Sequence, residues 1–445
     1  MDAVNLMDMS EFRKRLKDPR GARGYDPAMI VNVFLYAMCK KVGSSRRIAQ
    51  LCLDDLGARF LVAGSPPKFR CLAKFRHDNS AALSHLLAQT VILCDEAGLI
   101  DTSEMFGDGT KIKANASLRK NVPYENIDKA IAKIEQQILD LFSEADTLDA
   151  QEDAIYGPDN DGFSRSGLHD GEDQHERDLM LMRREQLLAA KKRLEENAQR
   201  EYDDHLSKPA SQRTHHKAPT GKPEPSDRAN LTDPDSSIMT TWEKGYVQSY
   251  NCQIVVEKRN HIIIGAFVTN AANDYHQLTP AFDAVKETTG EYPVCYVADT
   301  GYFSARNIEE ADKYGIEVLI PPKKMDRREA FEPNSALSAE QLAKLDAANR
   351  MTAKLATQEG HDIYQKRMCT VEPTFAMIKG CPGNDGFRQF LHRGIPKCDH
   401  EWSLICAVHN LRRYFACTSR TQPVQRPKTK TKAYKQYTMA LQSAQ

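Results

Sequence analysis

The sequence predicts an α/β protein in which a mixed sheet core is joined to an all-α N-terminal domain and carries a helical, coiled-coil-like insertion. Three observations support this fold class. Apolar residues recur at helical spacing through the first hundred positions, and a heptad seam runs from residue 127 to residue 148. From residue 246 to residue 320, strand patterns alternate with helical ones, which is typical of an α/β sheet.

The 445-residue chain has no net charge, because 61 lysines and arginines balance 61 aspartates and glutamates. This total hides an uneven distribution. Residues 121–204 contain 22 acidic and 10 basic side chains, and the rest of the chain contains 39 acidic and 51 basic ones. A neutral total excludes a uniformly basic nucleic-acid coat, whereas a basic body outside an acidic insert can contact phosphate.

Membrane and secreted proteins are disfavoured classes. No apolar run approaches the ~18 residues that a membrane-spanning helix needs, and the N-terminal residues lack the apolar stretch of a signal peptide. The 11 cysteines are scattered without a C-x-x-C pair, and the 13 histidines have no zinc-ligand spacing. We therefore expect a cytoplasmic protein with reduced thiols and no membrane partner.

Residues 1–100 are predicted to form a helical domain with a basic face. Asp26 followed by Pro27 predicts the start of a helix that Gly43 ends, with Lys40 and Lys41 in its last turn. Further helix boundaries and core positions are predicted at Ser44 or Ser45, Phe69, Leu72, Phe75 and Gly98. The cations of the later helices are Arg46, Arg47, Arg70 and Lys74. Such helices fit a helix-turn-helix-like DNA-binding unit, and the alternative is an ordinary bundle whose solvated face is basic.

Residues 121–237 are predicted to be an acidic helical-hairpin insertion followed by a proline-rich linker. The heptad seam consists of Ile127, Ile131, Ile134, Ile138, Leu141, Ala145 and Leu148. A second helical pattern contains Met180, Leu187, Ala190 and Leu194. The two helices would pair with each other or with a second subunit, and their acidic charge favours dimerisation or domain spacing over DNA contact. Residues 206–237 are interpreted as an exposed linker.

The sheet core is predicted to begin with a strand in residues 101–120 and to continue in residues 238–321. Its predicted elements are a β-hairpin at 246–256 and 262–268, a helix at 279–287, a strand at 294–298, a helix between Ser304 and Gly315, and a strand at 316–320. Three further segments are a small polar insertion at 322–360, the C-terminal core helices at 361–417, and a basic tail at 418–445.

Three carboxylates occupy positions at which an α/β sheet gathers catalytic groups. Asp108 lies near the end of a short strand, Asp299 directly follows another strand, and Glu372 begins an apolar helix. Clustered carboxylates supply oxygen ligands for Mg²⁺, and two such ions stabilise the attacking and leaving oxygens of a phosphoryl displacement. Taken singly, each aspartate is more often a turn former. Asp274 is the main rival carboxylate, and we interpret it as a turn or helix-cap residue.

The segment around Glu372 adds two cations to the candidate site. Lys379 follows Glu372 by two helical turns and therefore shares its face, and Arg367 precedes it. Both cations would grip a phosphodiester beside a metal ion, and the alternative is a surface helix with spaced charges. Pro373 requires either that the helix start near Thr370 or that it bend at the proline.

These residues stand in motifs that resemble those of bacterial insertion-sequence transposases of the DDE class. The motifs are Gly107-Asp108-Gly109-Thr110-Lys111-Ile112, Val297-Ala298-Asp299-Thr300-Gly301-Tyr302, Tyr364-x-x-Arg367 and Val371-Glu372-Pro373-Thr374-Phe375 with Lys379. The resemblance implies an RNase H-like core and a catalytic triad of Asp108, Asp299 and Glu372. The same three acids would hold two Mg²⁺ ions, for which Mn²⁺ could substitute. The family's tyrosine–arginine–glutamate–lysine signature would fall on Tyr364, Arg367, Glu372 and Lys379, with four residues between the arginine and the glutamate where the commonest form has three.

The resemblance therefore implies a DNA transposase. The helical domain and the basic tail would bind the terminal repeats of the element, and the core would cleave DNA and join the 3′ end to target DNA. Lys111, Arg367 and Lys379 would contact phosphate, and Tyr364 would pack against the DNA. A nucleoid-associated homodimer would bring two ends together, and a shortened N-terminus would weaken end recognition.

Two alternatives stay open. One is an RNase H-like nuclease that cuts DNA without strand transfer. The other is a catalytically silent, transposase-derived DNA-binding protein.

Overall fold

The computed structural model of the protein describes residues 2–14, 24–156, 170–207, 218–240, 245–323, 333–343, 345–380 and 386–419. The described residues up to 114 and from 249 onward form one compact unit, and those between 115 and 248 form a second. The predicted α/β class is confirmed. The first unit combines a mixed sheet with helices, and the second is built mainly from two long helices.

The elements are numbered along the whole chain. The helices of the first unit are α1 (Asp2–Leu6), α2 (Ser10–Arg13), α3 (Pro27–Cys39), α4 (Ser45–Asp54), α5 (Leu56–Leu61), α6 (Phe69–Asp78), α7 (Ser80–Ser84), α8 (Leu86–Glu96), α11 (Leu278–Thr289), α12 (Ala305–Tyr314), α13 (Ala339–Ala343), α14 (Ala347–Leu355), α15 (Gln358–Lys379) and α16 (Ile395–Thr418). Its sheet contains β1 (Met105–Lys113), β5 (Tyr246–Glu257), β6 (Ile263–Thr269), β7 (Cys295–Val297) and β8 (Glu317–Leu319). The second unit contains α9 (Tyr124–Tyr156), α10 (Asp170–Ser207), β2 (Asn121–Pro123), β3 (Arg228–Asn230) and β4 (Ser237–Thr240).

The sheet of the first unit is mixed, with β1 near its centre. β1 pairs antiparallel with β5, and β5 pairs antiparallel with β6, as the hairpin pattern predicts. On its other side β1 is parallel to β7, and β7 is parallel to β8. Helix α12 begins and ends where the sequence predicts, because Ser304 caps it by accepting a hydrogen bond from the Asn307 amide and Gly315 takes a left-handed φ of 69° after it.

The N-terminal helices pack around their own apolar core. Asp26 caps α3 by accepting a hydrogen bond from the Ala28 amide, with Pro27 in the first turn, as predicted. The predicted helix end is wrong. α3 ends at Cys39, before both lysines, because Lys41 rather than Gly43 takes a left-handed φ, of 63°. Ser44 holds the N-cap position of α4 but makes no capping bond with its side chain. The core of these helices includes the buried residues Ile30, Phe34, Ile48 and Leu72.

The C-terminal helices complete the first unit. α15 begins at Gln358 and contains Pro373, so of the two alternatives for this helix the start near Thr370 is wrong. Trp402 on α16 is fully buried, and its indole Nε1 donates to the Gln253 carbonyl at 2.9 Å. α14 falls within the predicted polar insertion, yet its Met351 and Leu355 are buried. Most of the predicted basic tail, from residue 420 onward, lies outside the described residues.

The second unit is an antiparallel helical hairpin, as predicted. Asp128 pairs with Lys191 at 2.7 Å, and Glu135 on α9 pairs with Arg184 on α10 at the same distance, so the two helices run in opposite directions. The seam residues that are buried between them are Ile127, Ile131, Ile134, Leu187, Ala190 and Leu194. The described part of the seam therefore pairs within the chain. The side chains of Ala145 and Leu148 lie outside the described residues.

Part of the predicted exposed linker is instead structured. β3 pairs antiparallel with β2, and Ala229 and Leu231 are buried in the core of the helical hairpin. The Asn230 side chain is fully buried and donates to the Ser117 carbonyl at 2.8 Å. The prediction of a linker is wrong for these residues, because the apolar side chains of Ala229 and Leu231 pack into the core of the helical hairpin. Residues 208–217 lie outside the described part.

None of the described helices combines the length and the apolar character needed to cross a membrane. The ten cysteines in the described ranges are all free thiols.

Candidate active site

Asp108 lies on the central strand of the sheet. Its Oδ1 accepts a hydrogen bond from the Gly109 amide at 2.8 Å, and its Oδ2 pairs with Arg367 Nη1 from α15 at 2.9 Å. Burial raises the pKa of the Asp108 carboxyl to about 6, and the nearby Asp299 and Asp274 add to the rise, while Arg367 opposes it. A largely buried, hydrogen-bonded carboxylate therefore sits within the field of two other acids.

Asp299 stands beside Asp108 by the register of two parallel strands. Phe106 on β1 is paired with Val297 on β7, and each aspartate follows its paired residue by two positions. The two aspartates are therefore level with each other where β7 ends, and Asp299 is close enough to Asp108 to raise the pKa of its carboxyl. Asp299 Oδ1 accepts a hydrogen bond from the Gly301 amide at 2.8 Å, which holds its carboxylate.

Asp274, the main rival carboxylate of the sequence analysis, is a third acid at this place. Its Oδ1 accepts hydrogen bonds from Asn251 Nδ2 at 2.7 Å and from Gln253 Nε2 at 2.6 Å. A Cβ atom on Gly301 would lie 3.0 Å from Asp299 Oδ1 and 3.7 Å from Asp274 Oδ2, so the two carboxylates flank this glycine. The interpretation of Asp274 as a turn residue holds for its backbone, whose carbonyl accepts from the Gln277 amide.

As a helix cap, Asp274 was interpreted wrongly, since Gln277 occupies the N-cap of α11. The signal that would have located its carboxylate is the pair of amide side chains on β5, Asn251 and Gln253, which share one face of that strand and are both buried.

Glu372 is not gathered with these acids. Its side chain is exposed on α15, and no hydrogen bond or ion pair joins it to another described residue. Within the described ranges, no three histidine, cysteine or acidic side chains lie close enough together to hold a metal ion. The structure thus brings Asp108 and Asp299 together, adds Asp274, and leaves Glu372 apart.

Three cations surround the acids. Arg367 pairs with Asp108, and its Nε atom is buried without a hydrogen-bond partner among the described residues. Lys379 Nζ donates to the Thr110 hydroxyl and, at 3.4 Å, to the Lys111 carbonyl. Burial lowers the pKa of Lys111, and Asp274 most strongly opposes that shift. The predicted phosphate contacts Lys111, Arg367 and Lys379 are therefore all close to the acidic strands, and Tyr364 lies one turn before Arg367 on α15.

The four cations predicted in the helical domain have different surroundings. Arg46 lies over the ring of Phe69 at 4.3 Å, and Arg70 is 6.0 Å from the same ring. Lys74 pairs with Asp78 at 3.8 Å on the surface of α6. Arg47 is exposed on α4. Among the described residues, the carboxylate of Asp108 pairs with Gly109 and Arg367 and with none of these four cations.

Both glycines that flank Asp108 are required by close packing. A Cβ atom on Gly107 would collide with the hydroxyl of Tyr296, which is fully buried and has no hydrogen-bond partner among the described residues. A Cβ atom on Gly109 would lie 2.6 Å from Asp274 Oδ1. The Gly-Asp-Gly sequence is therefore what allows the acids and Tyr296 to approach β1.

Two family models match the chain. The model described as "Transposase DDE domain" matches residues 333–415, and the one described as "Transposase domain (DUF772)" matches residues 2–78. The first range contains Arg367, Glu372 and Lys379, and the second contains the four cations of the helical domain. Searches of curated proteins and of solved structures found no match. The two family matches confirm the resemblance to transposases of the DDE class.

Proposed function

We propose that this chain is a transposase of the DDE class that binds insertion-sequence ends, cleaves DNA by metal-dependent hydrolysis and joins the 3′ end to target DNA. One observation carries this proposal. Asp108 on β1 lies close to Asp299, which follows the parallel strand β7, and Arg367 pairs with Asp108. Carboxylates at the edge of a sheet beside cations form a site suited to phosphodiester chemistry.

Asp108 and Asp299 fit a divalent cation by their chemistry. Mg²⁺ takes oxygen ligands and needs only one or two carboxylates when substrate phosphate supplies others. Burial and the neighbouring acids raise the pKa of Asp108, and a cation between the carboxylates would relieve their repulsion. Two Mg²⁺ or Mn²⁺ ions, when bound, would activate water and neutralise charge on the phosphate.

The remaining groups of the site would bind and orient DNA. The Arg367 guanidinium has a buried Nε donor without a partner in the described part of the chain, and a phosphate oxygen would satisfy it. Lys111 on β1 and Lys379 on α15, whose ammonium reaches β1, would neutralise neighbouring phosphates, and Tyr364 would pack against the DNA. No side chain needs to act as the nucleophile, because water and then the DNA 3′-hydroxyl supply the attacking oxygen.

Glu372 is proposed as the third catalytic acid. It lies on α15 between Arg367 and Lys379, whose side chains reach Asp108 and Thr110 on β1. Its exposed carboxylate would complete the metal site once the cation and the DNA are bound.

An in vitro cleavage and joining assay tests the function. Purified protein is mixed with labelled DNA carrying the element ends, in Mg²⁺ or in EDTA. Metal-dependent nicking at an end, followed by a joined product, is the expected result. Nicking without joining would favour the nuclease, and binding without cleavage in Mg²⁺ or Mn²⁺ would favour the silent DNA-binding protein.

The variant Asp299→Asn separates chemistry from binding. It removes one ligand charge while keeping the side-chain shape and an acceptor for the Gly301 amide. We expect loss of cleavage with unchanged binding to the element ends, measured by gel shift. Cleavage at the wild-type rate would show that Asp299 is not part of the metal site.

We further propose that the protein acts on nucleoid DNA as a homodimer, since two element ends must be brought together. The buried seam of the helical hairpin is already used within the chain, so a second copy would have to contact other surfaces. Light scattering of the protein with and without end DNA measures the oligomeric state.

A further inference from the structure

A cleft of about 470 Å³ opens in the first unit, away from the acids. Its walls come from the turn between α3 and α4, from the end of α15 with the segment after it, and from α16. Four cations line it: Lys41, Arg47, Arg388 and Arg412.

The charge of these cations is not balanced within the cleft. Glu401 is the one acid that lines it in the described part of the chain. Glu401 is buried, and its carboxylate is already occupied by the amides of Leu391 and His392. No ion pair to Lys41, Arg47 or Arg412 occurs among the described residues, so the cleft presents net positive charge.

Apolar side chains also line the cleft. They are Met38, Val42, Ile378, Phe387, Leu391 and Val408. A ligand that matches both features has anionic groups for the cations and apolar faces for these side chains. A DNA strand has both, in its phosphates and in its sugars and bases.

The cleft is also connected to the candidate active site. Arg388 Nε donates to the Lys379 carbonyl at 3.2 Å, and the Lys379 ammonium reaches β1 at Thr110. The same segment joins β1 directly, because Phe390 N–H donates to the Lys113 carbonyl at 2.9 Å. Cations therefore continue from the cleft along α15 and β1 toward Asp108.

We propose that one strand of the DNA substrate lies in this cleft, with its phosphates on Arg47, Arg412 and Lys41, and continues toward Asp108. The inference rests on the proposed function for the identity of the ligand as DNA. The inference assigns a phosphate contact to Arg47 but none to its neighbour Arg46, whose guanidinium lies over the ring of Phe69. Of the four predicted cations of the helical domain, Arg47 is the one that lines the cleft.

The salt dependence of binding tests this inference. Binding of a labelled duplex of the element end is measured by fluorescence anisotropy at rising KCl concentrations. In the double variant Arg47→Ala/Arg412→Ala, two phosphate contacts are lost, so the slope of log K against log[salt] should become shallower by about 1.8. The control Lys129→Ala/Lys133→Ala removes the same charge from the exposed surface of α9 and should keep the wild-type slope.

A wild-type slope in the cleft variant would overturn the inference, and so would an equal loss in the control. Arg47→Lys/Arg412→Lys keeps both charges and should restore the slope. Circular dichroism verifies that the variants fold. If the double variant unfolds, Lys41→Ala replaces it, and the slope of log K against log[salt] should become shallower by about 0.9.

If the wild type cleaves DNA but the slope is unchanged in the variants, only the inference about the cleft is refuted. A wild type that neither binds nor cleaves the end duplex refutes the proposed function and the cleft together.

Discussion

Asp108 illustrates at the residue scale how burial can outweigh an ion pair. Arg367 lies 2.9 Å from its carboxylate, yet the pKa of Asp108 is raised to about 6 because the carboxyl is buried and faces Asp299 and Asp274. The arrangement costs folding stability, and at neutral pH it leaves an ionised Asp108 carboxylate that can bind a cation. Such a cost is expected where a site is built for binding rather than for folding.

The pKa of Asp108 predicts a pH dependence of stability in metal-free protein. Its value in the folded state lies above the ordinary one, so the folded state holds a proton that the unfolded state has released between about pH 4 and 6. The penalty for folding is therefore present at neutral pH and disappears as the pH falls. Between about pH 7 and 5, the contribution of Asp108 to the free energy of unfolding should rise by about 1 kcal/mol.

Urea unfolding in EDTA at both pH values, for the wild type and for Asp108→Asn, measures this contribution. The variant lacks the titrating group and serves as the reference. A wild-type-minus-variant difference that does not change with pH, or that falls on acidification, would contradict the prediction.

The two remaining acids can be ranked by substitution. Asp274 touches the Asn251 and Gln253 amides and lies across Gly301 from Asp299, whereas Glu372 is exposed. Glu372→Gln should abolish cleavage if Glu372 completes the metal site as proposed, while Asp274→Asn should reduce the rate by about tenfold through misplaced neighbours. Rates are measured in the cleavage assay at several Mg²⁺ concentrations. The reverse ranking would make Asp274 the third catalytic acid.

At the scale of elements, the turn between β5 and β6 depends on one buried glutamate. Glu257 is fully buried and accepts hydrogen bonds from the amides of Arg259, at 2.8 Å, and of Ile262, at 3.1 Å, as well as from that of Asn260. The carboxylate thus satisfies backbone donors that the turn would otherwise leave buried.

Glu257→Ala is expected to destabilise the first unit by about 3 kcal/mol, because three backbone donors lose their acceptor. Glu257→Gln keeps an acceptor oxygen and should lose less. Glu309→Ala, on the exposed face of α12, is the control and should change the free energy of unfolding by less than about 0.5 kcal/mol. Denaturant unfolding compares the three variants, and equal losses in all of them would refute the role of the turn.

At the scale of the whole molecule, each of the two units has its own apolar core. Leu187 is buried with Ile131 and Ala190 in the helical hairpin, and Leu72 is buried with Phe34 and Ile48 among the N-terminal helices. Separate cores favour separate cooperative unfolding.

Calorimetry of two matched variants tests this expectation. Leu187→Ala and Leu72→Ala each create a cavity that costs about 3 kcal/mol. The first should lower the melting temperature of one transition and the second that of another. If both variants shift a single common transition, the units unfold as one body.

The sequence alone determined features that depend on near neighbours. The cap at Asp26 with Pro27, the stop at Gly315 and the heptad seam follow from local backbone geometry and from the period of the apolar residues. Asp108 and Asp299 were predicted as candidate residues because both lie on or directly after strands. The end of α3 was missed, because a left-handed lysine is not marked by any local pattern.

Tertiary structure decided which side chains meet. Arg367 and Asp108 are 259 positions apart, and their contact depends on how α15 packs against β1. Packing likewise placed the Asp274 carboxylate across Gly301 from Asp299 and buried the Tyr296 hydroxyl against Gly107. It also left Glu372 exposed and placed Arg47 in the cleft. The physical reason is that helix and strand patterns specify only which face of an element is apolar. The partners of a polar side chain are set by contacts between elements that are distant in the chain.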